Sequence, residues 1–240
     1  MLGLLLPLLF PSLVRKSAKN DLTICVSNLR GLTMAMQLYT DDNNEVFPAH
    51  RNNSQRVDAM TTEWWGTTIL DYAQGNTNRY RCPTIKGTRI DRGIRWSWRF
   101  DPHRLGYGYN GFFLGVHPYQ PHGFSVGGVQ FTGGSWVRRS SIVRPGENIL
   151  FADKQPYGDP PVWGSVLWWP NACMDTRKTT SRAYEGVETL RHAGVGNVAF
   201  NDGHVEPRRD ANINPPSDPS SGNPTSTVNS RYWDPQDRGR

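Results

Sequence analysis

The sequence predicts an α+β fold, in which one long N-terminal α-helix packs on an antiparallel β-sheet within a loop-rich β domain. Three observations predict it. A stretch near the N-terminus places apolar residues at helical spacing, the chain after it is broken into short apolar pieces by Gly, Pro, Asn and Asp, and no repeated strand-helix alternation appears. Because parallel sheets need such alternation, we expect the strands to be antiparallel.

Composition supports this organisation. The chain has 240 residues, a hydrophobic fraction of 36%, 24 Gly and 18 Pro, which is typical of many turns and short strands. Its length favours one domain with appendages over two full domains. We divide it into an apolar stub of a membrane or filament helix (1–14), an amphipathic stem helix (15–45), a globular β domain (46–206) and a disordered tail (207–240) rich in Pro, Ser and Asn.

The stem helix is predicted by periodicity. Between Ser17 and Thr40, apolar residues recur every three or four positions and so share one helical face: Leu22, Cys25, Val26, Leu29, Leu32, Met36 and Tyr39. The run "DDNN" at 41–44 is expected to end the helix. The preceding apolar run is about 14 residues long, which is too short to span a membrane by itself.

The strongest strand signals lie in the C-terminal half. "NILFAD" at 148–153 predicts a strand that ends at Asp153, and "VGNVAFNDGHVEP" at 195–207 predicts a β-hairpin from about Asn197 to Glu206. Asp202-Gly203 is expected to be its two-residue turn, with His192 leading into its first strand.

Four residues around this hairpin are candidate metal ligands: Asp153, His192, Asp202 and His204. Carboxylates and imidazoles suit a divalent cation if they converge on one point. The simpler alternative needs no metal: Asp202 serves the turn, and His192 hydrogen-bonds the segment before the hairpin to that turn. A metal-dependent hydrolase built on His192, Asp202 and His204 ranks last, because a catalytic base and oxyanion donors are not recognisable.

The match to G-x-S-x-G at 123–127 does not indicate a nucleophile. That motif requires a strand-to-helix elbow, whereas Ser125 is followed by the Gly-rich run "VGGVQFTGGSW". We therefore assign no catalytic residue and expect no enzymatic activity.

The positive charge is concentrated in residues 79–104, which hold eight Arg or Lys against two Asp. Arg pairs with anionic groups and indole faces stack, so this segment is a candidate surface for a polyanion or glycan. The candidate contacts are Arg89, Arg92, Arg95, Arg99, Trp96 and Trp98. A solvated basic loop is the alternative.

The paired tryptophans Trp64-Trp65 and Trp168-Trp169 have two interpretations as well. They suit a sugar-stacking platform, but tryptophans more often fill the core of a small β domain because each indole buries a large area.

The three cysteines, Cys25, Cys82 and Cys173, have no zinc-knuckle spacing. In an exported chain we expect one disulfide and one remaining thiol, with Cys25 bonded to Cys82. This bond would join the loop after Cys82 to the stem helix and, by closing nearly sixty residues, stabilise the fold by roughly 4 kcal/mol.

Several motifs occur together in one order: "LLLPLLFPSLVRKSAK", "CVSNLRGLTMAMQLYTDDNNEVFP", "RYRCP", "GYGYNG", "RPGENILFAD", and His192 separated by nine residues from Asp202-Gly203. In this order, over about residues 4–206, the chain resembles the pilin-like family of Planctomycetes-type bacteria. These are prepilin-type N-terminal cleavage and methylation proteins, related to type II secretion pseudopilins, with a C-terminal H-x9-DG motif.

The resemblance implies a pilin-like fold and a non-enzymatic subunit of the cell envelope. Such a subunit is anchored in the inner membrane or carried in an extracytoplasmic surface filament, and its partners are other pilin-like subunits that bind through the N-terminal helix. It implies neither a small-molecule substrate nor a cofactor, apart from the candidate cation above. The family's basic leader and Gly-Phe-Thr-Leu-Ile-Glu-like start are absent here, so we expect either that Met1 lies inside a longer gene or that this copy has lost processing.

Overall fold

The computed structural model describes residues 6–52, 63–84, 88–91, 94–97, 100–102, 105–116, 123–154, 165–168, 186–189, 191–216, 218 and 224–240. Side chains are described for these residues except 6–19, 52, 63, 88–91 and 94–97. The helices are α1 (Leu6–Asp42), α2 (Trp65–Thr68), α3 (Gly111–Leu114) and α4 (Ser230–Trp233). The strands are β1 (Arg51–Asn52), β2 (Glu63–Trp64), β3 (Thr88–Asp91), β4 (Ile94–Ser97), β5 (Tyr107–Tyr109), β6 (Gly123–Val126), β7 (Val129–Thr132), β8 (Ile149–Asp153), β9 (Gly196–Phe200) and β10 (Val205–Arg208).

Helix α1 confirms the predicted stem and extends it toward the N-terminus, since it runs without a break from Leu6. Its apolar stripe faces the core: Cys25, Leu29, Leu32 and Met36 are fully buried. The helix ends at Asp42, where the amide of Glu45 donates to the carbonyl of Thr40 and closes the last turn. In the part of the chain that the structure describes, we find no helix that combines the length and the apolarity needed to cross a bilayer.

The central sheet has four strands in the order β10-β9-β8-β5, and each neighbouring pair is antiparallel. Helix α1 packs across β8, β9 and β10. The α+β class and the antiparallel sheet are therefore confirmed, as is the strand in "NILFAD", which forms β8. The remaining described strands form three two-stranded antiparallel ribbons, β1-β2, β3-β4 and β6-β7.

The C-terminal hairpin is also confirmed, but its turn differs from the expectation. Val205 pairs with Ala199, and Phe200 hydrogen-bonds to His204, so the loop contains Asn201 and Asp202-Gly203 rather than two residues. Gly203 has φ +101, the conformation that a three-residue loop of this type needs at its last position. The extra residue is accommodated because the amides of Asn201 and Asp202 bond outward, to carbonyls of the 145–148 segment.

Both faces of the central sheet are buried. Leu150, Phe151 and Ala199 pack with α1, whereas Ile149, Ala152, Val198 and Phe200 pack on the opposite side. That opposite side is covered in part by the C-terminal segment, through Ile213, Tyr232 and Trp233. The sheet therefore needs both α1 and this segment to exclude water.

The C-terminal segment corrects the expectation of a disordered tail over 207–240. Trp233 is fully buried, and its indole Nε1 donates to the carbonyl of Ile213 at 2.7 Å. Asn110 and Asn148 in turn donate to the backbone carbonyl of Trp233. A few large apolar residues within a polar composition are sufficient, because the second face of the sheet provides the surface that they cover.

Two tryptophans of the described pairs belong to the core. Trp65 is fully buried and Trp64 nearly so, and the Trp65 ring lies 4.9 Å from that of Phe151. Trp168 packs at the edge of the second-face cluster, and Trp169 lies outside the described residues. For Trp64 and Trp65 the structure favours a packing role over a sugar platform.

Candidate functional site

Four buried side chains from distant parts of the chain meet at one place. Cys25 comes from α1, Cys82 from the segment after the 3-10 turn at Thr77–Tyr80, Asp153 from the end of β8, and His192 from the loop before β9. One sulphur, nitrogen or oxygen atom from each lies within 4.8 Å of the corresponding atoms of the other three. We call these four residues the Cys-His-Asp cluster.

Asp153 is held by the strand next to it. The backbone amide of Asn197 in β9 donates to Asp153 Oδ2 at 2.7 Å, and the Asn197 side-chain amide donates to the same oxygen at 3.0 Å. The other oxygen, Oδ1, accepts from the Cys25 thiol at 3.2 Å. The carboxylate is completely buried, so these contacts replace its hydration.

His192 presents a single nitrogen to two groups. Its Nε2 lies 3.4 Å from Cys82 Sγ and 3.4 Å from Asp153 Oδ2. The distance to sulphur is that of a hydrogen bond, whereas the distance to the carboxylate oxygen is long for one, and one nitrogen has one proton or one lone pair to offer. The arrangement therefore brings three potential ligand atoms around a common point, where His192 Nε2 can bond fully to only one of its two neighbours.

Both sulphurs lie beside hydrogen-bonding groups. The Tyr107 hydroxyl donates to Cys25 Sγ at 3.2 Å, and the Asn197 side-chain amide lies 3.3 Å from the same atom. The Thr84 hydroxyl lies 3.0 Å from Cys82 Sγ. Because a neutral thiol is a weak acceptor, these groups would orient each sulphur more firmly as a metal-bound thiolate than as a thiol.

Arg191 adds a buried positive charge beside the cluster. Its guanidinium donates to the backbone carbonyls of Gly106 and Lys154, at 3.1 and 2.7 Å, and lies 3.9 Å from Asp153 Oδ1. These contacts fix the guanidinium at the edge of the central sheet, where it compensates negative charge on the cluster.

The two cysteines have opposite electrostatic environments. Burial raises the pKa of Cys25 well above its usual value, and the hydrogen bond with Cys82 and the charge of Asp153 add to the effect. Burial also acts to raise the pKa of Cys82, but the hydrogen bond from Cys25 and the positive charge of Arg191 outweigh it, so that pKa lies well below its usual value. Cys82 is thus the first of the two to become a thiolate.

The carboxyl and the imidazole are shifted as well. Burial, reinforced by the charge of Cys82, raises the pKa of Asp153 to about 6. Burial acts to lower the pKa of His192, but the hydrogen bond with Cys82 and the charge of Asp153 raise it above its usual value. Four ionisable groups held this close are typical of a functional site.

The four metal ligands that were expected around the hairpin lie in two separate places. Asp153 and His192 belong to the cluster, whereas Asp202 and His204 lie at the opposite end of β9 and are partly exposed. There, His204 Nδ1 lies 2.6 Å from Asp202 Oδ1. The four-residue site and the His192 bond to the turn are both wrong, because the antiparallel register places Asp153 and the hairpin loop at opposite ends of the sheet.

Cys25 and Cys82 are neighbours in space, as a disulfide requires, and both are free thiols in this structure. Their bond stays a prediction, and Cys173 lies outside the described residues. Their partnership with Asp153 and His192 was missed by sequence reasoning, because no spacing rule links positions so far apart.

The candidate polyanion contacts are described only in part. β3 and β4 form an antiparallel ribbon in which Arg89 pairs with Trp96 and Ile90 with Arg95. Arg92, Trp98 and Arg99 lie outside the described residues.

The cluster offers the side chains of a metal-ligand set. Cys25, Cys82 and Asp153 are all fully buried. Two sulphurs, one imidazole and one carboxylate are the ligands of tetrahedral metal sites. No protein-family model, no curated protein and no solved structure matches this chain, so its own geometry is the basis for any functional conclusion.

Proposed function

We propose that this chain is a non-enzymatic, pilin-like subunit of the cell envelope that assembles with other subunits through α1. One observation carries the proposal. α1 has 37 residues, which corresponds to about 55 Å, and among its described side chains (20–42) a fully buried stripe that begins at Cys25 packs on the antiparallel sheet. A single long helix that packs on its domain by one stripe suits a stem that also serves assembly.

The outer face of α1 supports the same function. Ile24, Met34 and Leu38 are 40%, 62% and 48% exposed, and at 100° per residue they lie within an arc of about 80°. Of the six large hydrophobic residues that are exposed in the described part of the chain, these three share one helix face. Single exposed apolar residues are ordinary, but a shared face suits a neighbouring helix.

In this proposal the subunit belongs to a surface filament or a type II secretion-like assembly, anchored at the inner membrane. The neighbouring subunit contributes its own α1, because identical helices that share an apolar face can repeat the same contact along a fibre. The sheet and its ribbons then face outward.

Site-specific photo-crosslinking tests the assembly. A photoreactive residue replaces Met34 in the full chain, and Val143, which is 61% exposed outside α1, is the matched control. We expect covalent dimers and a ladder of higher species from the Met34 position after illumination of envelope fractions, and monomer from the Val143 position. Equal yields at both positions, or monomer alone at Met34, would overturn the proposal.

A second candidate function is a surface module for a polyanion or glycan. The observation that favours it is the β3-β4 ribbon: it is a two-stranded sheet separate from the central one and pairs Arg89 with Trp96, so a cation and an indole occupy adjacent strands. This combination suits an anionic polymer, which offers charge to the guanidinium and a flat face to the ring.

A further inference from the structure

The Cys-His-Asp cluster has a use that is independent of assembly. The geometry points to a structural metal site in which Cys25, Cys82, Asp153 and His192 bind one divalent cation of the zinc class. The four ligands come from four segments, so the cation would join α1 to the ends of the sheet strands.

The distances are close to those of a tetrahedral site. With zinc bonds of 2.0–2.3 Å, neighbouring ligand atoms of a tetrahedron are about 3.3–3.8 Å apart. The cluster has 3.4 Å between Cys82 Sγ and His192 Nε2, and 3.4 Å between His192 Nε2 and Asp153 Oδ2. Cys25 Sγ lies 3.2 Å from the other carboxylate oxygen, Asp153 Oδ1, and one ligand atom from each of the four residues lies within 4.8 Å of the other three. Small shifts of these side chains would open the centre for the ion.

The surrounding groups match a thiolate site. The Tyr107 hydroxyl and the Asn197 side-chain amide approach the Cys25 sulphur, and the Thr84 hydroxyl approaches the Cys82 sulphur. Such groups tune and orient thiolate ligands around a metal. The same Asn197 also holds Asp153, so one side chain orients two of the four ligands.

Charge balance favours a divalent ion. Two thiolates and one carboxylate carry three negative charges, a neutral imidazole adds none, and each thiol releases its proton to solvent on binding. A divalent cation and the buried Arg191 guanidinium supply three positive charges. The occupied site would therefore be neutral, as a fully buried site requires.

Burial makes the site structural rather than catalytic. All four ligands come from the protein, and three of them are fully buried, so no coordination position faces solvent. The mixture of two sulphurs, nitrogen and oxygen selects zinc over calcium or magnesium, which prefer oxygen ligands.

The Cys25–Cys82 disulfide is the competing use of the same sulphurs. A disulfide would need only the two cysteines, whereas the cluster also directs a histidine and a carboxylate to the same point. The metal explains all four residues, and for this reason we favour it.

Cobalt substitution tests the proposal directly. The full chain is prepared under reducing conditions, stripped with chelator, and titrated with Co²⁺, whose thiolate complexes give a near-ultraviolet charge-transfer band and visible bands of tetrahedral geometry. We expect both sets of bands to saturate at one equivalent, zinc to abolish them, and the chain as isolated to contain one zinc by elemental analysis.

Variants assign the ligands. Cys82→Ser and His192→Gln are expected to weaken Co²⁺ binding by at least tenfold, whereas His204→Gln, which alters an exposed histidine at the opposite end of β9, leaves it unchanged. Should the ligand variants fail to fold, the titration of the wild-type chain still decides. Absence of the charge-transfer band in the folded, reduced wild-type chain overturns the proposal, as does a Cys25–Cys82 disulfide in peptide maps of the chain as isolated.

Discussion

At the scale of single residues, the contacts of the His192 side chain could not be inferred from the residues near it in sequence. His192 lies ten positions before Asp202, yet its side chain contacts Cys82 and Asp153. His192 and Asp153 were candidate metal ligands from the sequence, and that role stays a prediction. The expected position of Asp153 at the end of a strand is confirmed. The partners expected for these two residues were wrong, because the register that brings Asn197 beside Asp153 is set by the whole sheet.

At this scale, the clearest prediction for stability concerns the replacement of Trp65. Trp65 is fully buried among Tyr80, Tyr109 and Phe151, and its indole Nε1 donates to the carbonyl of Ser165. We expect Trp65→Ala to lower the free energy of unfolding by about 3–5 kcal/mol, through lost burial and the cavity that remains. Urea titration followed by circular dichroism measures this change.

The matched control is Trp136→Ala, since Trp136 is 63% exposed. An exposed site of this kind is expected to change the free energy of unfolding by less than about 0.5 kcal/mol. Similar losses for the two variants would contradict the assignment of Trp65 to the core.

At the scale of elements, the signals with a regular period were the reliable ones. The 3.6-residue period predicted the buried stripe of α1, and the run of apolar residues before Asp153 predicted β8. The C-terminal segment was not predictable in this way. Its order depends on Trp233, and a single tryptophan within a polar composition gives no period.

The C-terminal segment gives a prediction of its own. Trp233→Ala removes a fully buried indole from the second face of the sheet, in the cluster that also contains Phe112 and Phe200. We expect a loss of about 3–5 kcal/mol in the free energy of unfolding and increased binding of a dye that reports exposed apolar surface. Val228→Ala, at a position that is 53% exposed in the same segment, is the control and should have neither effect. If the segment were a dispensable tail, both variants would have the free energy of unfolding and the dye binding of the wild type.

The basic segment 79–104 gives another prediction at this scale. If it binds polyanions, replacing Arg89, Arg92, Arg95 and Arg99 by Glu should abolish retention on heparin, and retention of the wild type should fall steeply as salt rises. Replacing Arg138, Arg144, Arg209 and Arg240, which lie outside this segment, by Glu produces the same charge change and is the control. Equal loss in both variants would show that total charge, and not the segment, is responsible.

At the scale of the whole molecule, the metal site would account for how α1 is held. The helix packs on one face of the sheet, and the C-terminal segment covers the other. Cys25 is the contribution of α1 to the cluster, and the other ligands come from the segment after the 3-10 turn, the end of β8 and the loop before β9. One cation would thus couple the stem helix to the domain that it carries.

The class of fold was readable from the sequence, because the α1 stripe and the β8 run are local patterns. We expected Cys25 to lie beside Cys82 because of a disulfide, and Asp153 to lie beside His192 as two ligands of a cation site. Their union in one cluster was not predictable, since it requires the packing of α1 on the sheet and the strand register together.

The most direct test of the metal site is the thermal unfolding midpoint of the reduced full chain before and after removal of the metal by chelator. Zinc present at a thousand times its dissociation constant contributes about 4 kcal/mol to the free energy of unfolding. For a chain of this length the midpoint should then fall by roughly 10 °C and recover with zinc but not with magnesium. A midpoint that neither chelator nor added zinc changes would contradict the account.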